Sequence, residues 1–149
     1  MALDTGIRRL ASIPLLNELD VEALRLLAFS AETRILRAGD VLFSKGDQTS
    51  GGFIVVSGAI ALDPHGDGRT AAQIVGPDSL IGEMALITQT ECPVTAIARQ
   101  PSVVLAISRD LLHRVLREFP SSAARLQSAL ESRLNQFTGL ARTAASRSV

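Results

Sequence analysis

Residues 32–83 decide the fold, and they read "ETRILRAGDVLFSKGDQTSGGFIVVSGAIALDPHGDGRTAAQIVGPDSLIGE". Short apolar runs alternate here with Gly, Asp and Pro at close spacing, a pattern typical of an all-β sandwich or barrel. The runs predict strands over residues 33–36, 41–44, 52–57, 59–63 and 70–75. The segments between them predict turns, because Gly adopts positive φ and Asp bonds its own backbone. Two more strands are predicted over residues 94–99 and 103–107.

Predicted helices flank these strands on both sides. Upstream lies a helical segment to about residue 30, which Pro14 interrupts and in which Asp20 can cap the second helix. Downstream, Ser108 is the predicted N-cap of a helix that Pro120 ends, and serine caps begin a second helix. One apolar stripe runs along this second helix and consists of Leu126, Leu130, Leu134, Phe137 and Ala141.

Length and composition predict one cytoplasmic domain over residues 1–149. Fifteen basic and fifteen acidic residues balance, so the charge gives no broad attraction to nucleic acid or to an anionic membrane. The single cysteine, Cys92, excludes an internal disulfide and favours a reducing compartment. No window approaches the ~20 apolar residues of a membrane span, and the N-terminus lacks the apolar run of a signal peptide.

Five segments, taken in order along the chain, each match a motif of one protein family: "IPLLNELDVEALRLLA", "RAGDVLFSKGD", "FIVVSGAIAL", "IGEMALI" and "RDLLHRVLREFP". Together they resemble the cyclic nucleotide-binding domain family, over residues from about 13 to 120. The resemblance implies a mainly β fold with flanking helices: a double-stranded β-helix, or jelly-roll-like β-roll, with N-terminal helices and two C-terminal helices. The zones would be a helical lead-in over 5–30, the β-roll over 31–108, helices over 109–141 and a frayed tail over 142–149.

The resemblance also implies a function: a non-enzymatic regulatory module that binds cAMP, cGMP or a related small anion in the β-roll. The segment "IGEMALI" resembles the family's phosphate cassette, a short helix whose N-terminal amides point at the cyclic phosphate. Carried over, Gly82 and Glu83 match, and Glu83 would accept a hydrogen bond from the ribose 2′-hydroxyl. Met84 and Ala85 would turn their amides toward the phosphate. These four are the predicted ligand-binding residues.

Two phosphate donors of the family are absent from this chain. The family's arginine stands nine residues after the Glu, and that position is Cys92. The next residue would donate a backbone N–H, but it is Pro93, which has none. Losing such contacts costs ~3–4 kcal/mol, or a few hundredfold in affinity, so binding is expected to be weak. Arg69 or Arg99 could supply the charge instead, or both could be solvated surface residues.

The segment before the cassette also departs from the family. Where the family has Gly-x-Gly-Asp before a phenylalanine, this chain has "GPDSLI", with Asp78 and Ser79 out of pattern and Ile81 for Phe.

Other roles remain open for the singled-out residues. Glu83 could cap the short helix or pair with a neighbouring strand. Cys92 could be a reactive thiol whose pKa the helix start lowers, or a small, mostly buried strand residue. His65 and His113 lie far apart, and the sequence shows neither metal-ligand spacing nor a Ser-His-Asp pattern. We therefore expect no enzymatic activity, no cofactor and no metal.

A second function stays open beside ligand binding. The chain could be a ligand-free structural or interaction domain, a reading that Cys92 and Pro93 favour. The helix over 121–141 would then dock a partner protein or form a homodimer, and its apolar stripe would either pack on the β-roll or make a dimer seam. A transcription regulator is not expected, because no helix-turn-helix segment follows the last predicted helix.

Overall fold

The fold consists of two four-stranded antiparallel sheets flanked by helices, as seen in a computed structural model that describes residues 2–65 and 73–132, with side chains from residue 7 onward. The strands are β1 (Glu32–Leu36), β2 (Val41–Phe43), β3 (Gly51–Ser57), β4 (Ile60–Asp63), β5 (Gln73–Val75), β6 (Leu80–Ile81), β7 (Thr95–Ala98) and β8 (Ser102–Ser108). The helices are α1 (Ala2–Ala11), α2 (Val21–Ser30), α3 (Arg109–Glu118) and α4, described over 120–132. Two 3₁₀ turns cover Leu16–Glu18 and Met84–Leu86.

The strand order confirms the predicted fold class. One sheet runs β1-β8-β3-β6 and the other β2-β7-β4-β5, so strands distant in sequence become neighbours. All the pairs within the two sheets are antiparallel. This is the mainly β architecture with flanking helices that the sequence indicates.

The predicted strands are present with small shifts at their ends. Residues 70–72 of one predicted strand lie outside the described residues, and β5 covers the rest. The sequence analysis missed β6, which has only two residues, Leu80 and Ile81. Its pairing with Ile54 and Phe53 of β3 defines it, and two residues show no alternation that a sequence pattern could reveal.

Alternation along β3 separates two apolar clusters. Ile54 is fully buried and contributes to a helix-facing cluster with Leu24 and Leu27 of α2. Val55 and Val104 belong to the second cluster, which lies on the inner side of the roll. Because one sheet thus has apolar side chains on both faces, the helices cover its outer face and leave the interior for a cavity.

Of the two predicted N-caps, the structure confirms Ser108 but not Asp20. Ser108 caps α3 as expected, since its hydroxyl oxygen accepts a hydrogen bond from the Leu111 N–H at 3.0 Å. Asp20 stands at the N-cap position of α2, but its side chain makes no capping bond there. Its carboxylate instead pairs with Arg125 of α4, and its N–H donates to the Ser122 hydroxyl at 2.9 Å. Hydrogen bonds therefore connect the start of α2 to α4.

The predicted boundary between the last two helices was wrong. α3 ends at Glu118, and Pro120 is the first helical residue of α4, where its missing N–H costs nothing. Ser121 and Ser122 therefore lie inside α4 rather than capping it.

The described part of the apolar stripe on α4 faces the chain's own helices. Leu126 is buried and Leu130 packs against the helix-facing cluster. Leu134, Phe137, Ala141 and the tail over 142–149 lie outside the described residues, so the dimer seam stays a prediction. Within the described ranges, no helix is long and apolar enough to cross a bilayer.

Candidate functional site

A cavity of about 630 Å³ opens into the β-roll beside the 3₁₀ turn that follows β6. All four predicted ligand-binding residues line it: Gly82, Glu83, Met84 and Ala85. The positions of the two missing phosphate donors, Cys92 and Pro93, line it as well. The structure therefore brings these residues, which the sequence singled out, together around one cavity.

Apolar side chains form much of the remaining wall. Phe43 and Phe53 stack with their ring centroids 5.8 Å apart, and Leu42, Leu62 and Val94 lie around the same cavity. Such a wall suits the flat, largely apolar faces of a nucleobase.

The cassette turn depends on a glycine. Gly82 has φ +83°, in the left-handed region that side chains rarely adopt, and this bend takes the chain from β6 into the 3₁₀ turn. The short helix that the resemblance implies is thus present, as Met84–Leu86. The Ala85 N–H donates to the Gly82 carbonyl oxygen at 3.1 Å. A phosphate oxygen at this amide would have to share or replace that hydrogen bond.

Arg109, the first residue of α3, fixes the cassette from behind. Its Nε donates to the Ala85 carbonyl oxygen at 3.0 Å. Its Nη2 donates to the carbonyl and the hydroxyl oxygens of Thr49, at 2.9 and 3.0 Å. The Thr49 hydroxyl oxygen also accepts a hydrogen bond from the Thr90 N–H at 3.0 Å. One guanidinium therefore joins α3 to two segments of the cavity wall, and Thr49 links these to a third segment at Thr90. This role of Arg109 was not predicted from the sequence.

Cys92 is a buried thiol held in place by its backbone. Its side chain is 7% exposed, its N–H donates to the Asp47 carbonyl oxygen, and its carbonyl accepts from the Gly46 N–H, both at 2.8 Å. Burial, and then the Asp47 carboxylate, raise the pKa of the thiol above its ordinary value. The expectation that the helix start lowers this pKa is therefore wrong. The alternative of a small, mostly buried residue fits, although Cys92 precedes β7 rather than lying in a strand.

Of the two arginines considered as substitutes, the structure describes only Arg99, and Arg99 does not line the cavity. Arg69 lies outside the described residues, and Arg99 is an exposed residue just after β7. Arg34 of β1 does line the cavity, with its guanidinium 5.4 Å from the centre of the Phe53 ring. Sequence analysis missed it, although its spacing of two from Leu36 was a usable signal for an inward-facing position.

The departures before the cassette have a structural explanation at Asp78. This residue has φ +67°, the conformation that glycine would supply in the family pattern. Aspartate tolerates the left-handed region better than most residues because its short side chain can bond locally. Here the carboxylate is also held by Arg9 of α1, with Nη1 and Oδ1 2.6 Å apart. The substitution therefore preserves the turn.

Neither histidine of the chain lines this cavity. His65 lies in the turn after β4, and His113 lies on α3; neither lines the cavity. The described residues contain no group of three or more His, Cys, Asp or Glu side chains placed to hold a metal ion. The site geometry thus offers stacking faces, backbone amides and few charged groups.

Comparison with known proteins identifies the family to which this fold belongs. The family described as "Cyclic nucleotide-binding domain" matches residues 33–119, more than half of the chain. The chain belongs to the cyclic nucleotide-binding domain family. The matched segment contains all eight strands except the first residue of β1, and the whole cassette. The cavity described above is therefore in the part of the chain that defines the family.

Three relatives illustrate the range of this family. The chain is 31% identical over 126 residues to the cyclic AMP receptor protein of Thermus thermophilus. The aligned region is 83% of this chain and 58% of that receptor. A cyclic nucleotide-binding-like protein from Brucella abortus is 42% identical in structure-based comparison, with a TM-score of 0.71, covering 76% of this chain and 99% of that one. The N-terminal domain of a Streptomyces coelicolor transcriptional regulator is 30% identical, with a TM-score of 0.79, covering 89% and 94%.

Proposed function

We propose that this chain is a non-enzymatic regulatory module that binds a cyclic nucleotide, cAMP or cGMP, or a related small anion, in the β-roll. The observation that carries the proposal is that Gly82, Glu83, Met84 and Ala85 line the same cavity as two stacked aromatic rings. The Thermus relative is a cyclic AMP receptor, which supports the same ligand class. The cytoplasmic location remains a prediction from the single cysteine.

Each of the four residues has a distinct role in this proposal. Glu83 accepts a hydrogen bond from the ribose 2′-hydroxyl. Because the acceptor is a charged carboxylate, this hydrogen bond is strong. The amides of Met84 and Ala85 face the phosphate, and Gly82 provides the bend that orients them. The aromatic and aliphatic wall takes the base.

We expect weak binding because two of the family's phosphate donors are absent from this chain. Cys92 replaces the family's arginine with a thiol that its raised pKa keeps neutral. Pro93 cannot donate a backbone N–H. The Ala85 amide is already engaged with the Gly82 carbonyl. We expect a dissociation constant between about 10 µM and about 1 mM, which corresponds to about −7 to −4 kcal/mol.

Calorimetric titration with cAMP and cGMP tests the proposal. We expect saturable binding of at least one nucleotide in the stated range, and at least tenfold weaker binding by the Glu83→Ala variant. A Glu22→Ala variant, on the exposed face of α2, is the matched control. Absence of saturable binding at millimolar nucleotide would refute the proposal, and a wild-type dissociation constant below 10 µM would refute the weak-binding part.

A ligand-free scaffold is the second candidate, and the same two substitutions favour it. In that case the helix over 121–141 docks a partner protein or forms a homodimer. The described residues Leu126 and Leu130 already contact the chain's own helices, so a seam would need the stripe beyond them. Light scattering after size-exclusion chromatography, over a hundredfold range of concentration, distinguishes a homodimer from a monomer.

A further inference from the structure

We propose that Arg34 supplies the positive charge that meets the phosphate of the ligand, in place of the arginine that Cys92 replaces. This inference rests on the proposed function, because it concerns the same cavity and the same ligand class. It assigns a binding and specificity role to a residue on β1, far in sequence from the cassette.

The charges around the cavity single out Arg34. Among the described residues of the cavity wall, it is the one cation, whereas Asp47, Glu83 and Glu91 are acidic. An anionic ligand entering this cavity would otherwise meet a negative wall without a counter-charge, which is unfavourable where water is partly excluded. A guanidinium suits the task, since its planar fork binds phosphate oxygens through two parallel hydrogen bonds.

The strand geometry places Arg34 on the correct face. Alternation along β1 puts Arg34 on the same face as Leu36, which packs against the inner cluster of the roll. Ile35, between them, is 79% exposed on the outer face. The Arg34 side chain therefore extends along the inner surface of the sheet at the mouth of the cavity.

The guanidinium also lies close to the cassette. It sits over Phe53, with 5.4 Å between Cζ and the ring centroid. Phe53 is the strand partner of Ile81, and Gly82 follows directly. Opposed residues on antiparallel strands have their Cβ atoms roughly 4.5–5.5 Å apart. The Arg34 side chain thus crosses β8 to lie over β3, and the guanidinium is about one strand spacing, roughly 4.8 Å, from β6 and the start of the cassette.

The present contacts of Arg34 leave it available to a stronger partner. Its Nε lies 3.6 Å from the Glu32 carboxylate, and both side chains are substantially exposed, at 43% and 69%. An exposed ion pair and an exposed cation–π contact are each weaker than a charge-assisted hydrogen bond to phosphate. A ligand phosphate can therefore displace them.

Two other nearby cations are already engaged elsewhere. Lys45 donates from Nζ to the Pro64 carbonyl oxygen at 2.7 Å, and it does not line the cavity. Arg109 donates to carbonyl oxygens behind the cassette, as described above. Neither points its charge at the space that a nucleotide would occupy.

Paired titrations with cAMP and with adenosine, which lacks the phosphate, test the inference. We expect Arg34→Gln to weaken cAMP binding at least tenfold and to change adenosine binding less than about twofold. Arg34→Lys keeps the charge and should bind cAMP within about fivefold of the wild type. Arg25→Gln is the matched control, because Arg25 is a half-exposed partner of Glu22 at the same 3.6 Å separation, on α2. It should leave both affinities unchanged.

The possible failures are distinguishable. If the wild type binds cAMP and Arg34→Gln binds it equally well, the inference fails and the proposed function stands. Equal losses for cAMP and adenosine would place Arg34 against the base or sugar, which also overturns the inference. If the wild type binds no nucleotide, both fail together. Should Arg34→Gln not fold, Arg34→Met is titrated in its place. A loss of at least tenfold for cAMP with adenosine binding unchanged supports the inference, and an unchanged cAMP affinity contradicts it.

Discussion

Replacing Cys92 with arginine should strengthen cAMP binding at this site. Cys92→Arg places a guanidinium where the family's phosphate donor stands, on a backbone held by hydrogen bonds to Gly46 and Asp47 at 2.8 Å. Because those bonds involve only main-chain atoms, the substitution leaves them intact. The adjoining cavity of about 630 Å³ has room for the longer side chain. The local charge also favours an arginine, since the Asp47 carboxylate that disfavours a thiolate would attract a cation.

The expected gain follows from one recovered charge-assisted hydrogen bond. Such a bond contributes about 1.5–3 kcal/mol, which is a roughly 10- to 150-fold increase in cAMP affinity. Pro93 still provides no N–H, and Asp47 competes with the phosphate for the new guanidinium. Both effects place the expected value in the lower part of that range.

Calorimetry with cAMP, at low and at high salt, measures this gain. Cys92→Gln is the control, because it adds length and hydrogen-bonding groups without charge and should leave affinity within a few-fold of the wild type. Adenosine affinity should change little in either variant. A folded Cys92→Arg protein that binds cAMP no better than Cys92→Gln would refute the reasoning, since the cassette would then not direct a phosphate toward position 92.

Three further predictions concern stability and reactivity. Arg109→Ala removes the three hydrogen bonds behind the cassette and should lower the free energy of unfolding by roughly 1.5–3 kcal/mol in chemical denaturation, whereas Arg117→Ala, near the other end of the same helix, should not. The hydrogen bond from Arg125 lowers the pKa of Asp20, so this pair stabilises the fold above the unfolded pKa near 3.8 and ceases to do so as pH falls through the lowered value. Thermal melts of wild type and Asp20→Asn from about pH 5 to about pH 3 should therefore show the smaller loss in the variant, and parallel curves would contradict this. Burial and Asp47 keep the Cys92 thiol protonated, so iodoacetamide should alkylate it at neutral pH much more slowly than free cysteine, and equal rates would show that the thiol is accessible.

The sequence reveals the fold wherever a pattern repeats over several residues. β3 and β8 have seven residues each, and their continuous apolar runs and flanking turns made them predictable. β6 has two residues and exists through its partner, so local pattern could not show it. At Pro120 the same residue type permits a helix end and a helix start, and only the packing of α4 decides between them.

The candidate site was predictable where a motif is contiguous and obscure where it is assembled across strands. The cassette is one segment of four residues, so its position followed from the resemblance. Arg34 and Arg109 reach the same region from β1 and α3, about 50 residues before and 25 after the cassette in sequence. Their relevance depends on which strand pairs with which, and that pairing is a tertiary property.

The hydrogen bonds of Arg109 give a route by which a ligand in the cavity could affect the helices, and the affinity of the ligand limits the size of that effect. A change in the cassette would reach α3 through the Ala85 carbonyl and α2 through its packing on α3. From the start of α2 it would reach α4 through the contacts of Asp20 with Ser122 and Arg125. A ligand shifts such a linked equilibrium only by its difference in affinity for the two states. At a concentration equal to its dissociation constant, a ligand stabilises the state it binds by only about 0.4 kcal/mol, against about 2.7 kcal/mol at a hundredfold excess. A site that binds in the high micromolar range can therefore act as a switch only where nucleotide is abundant.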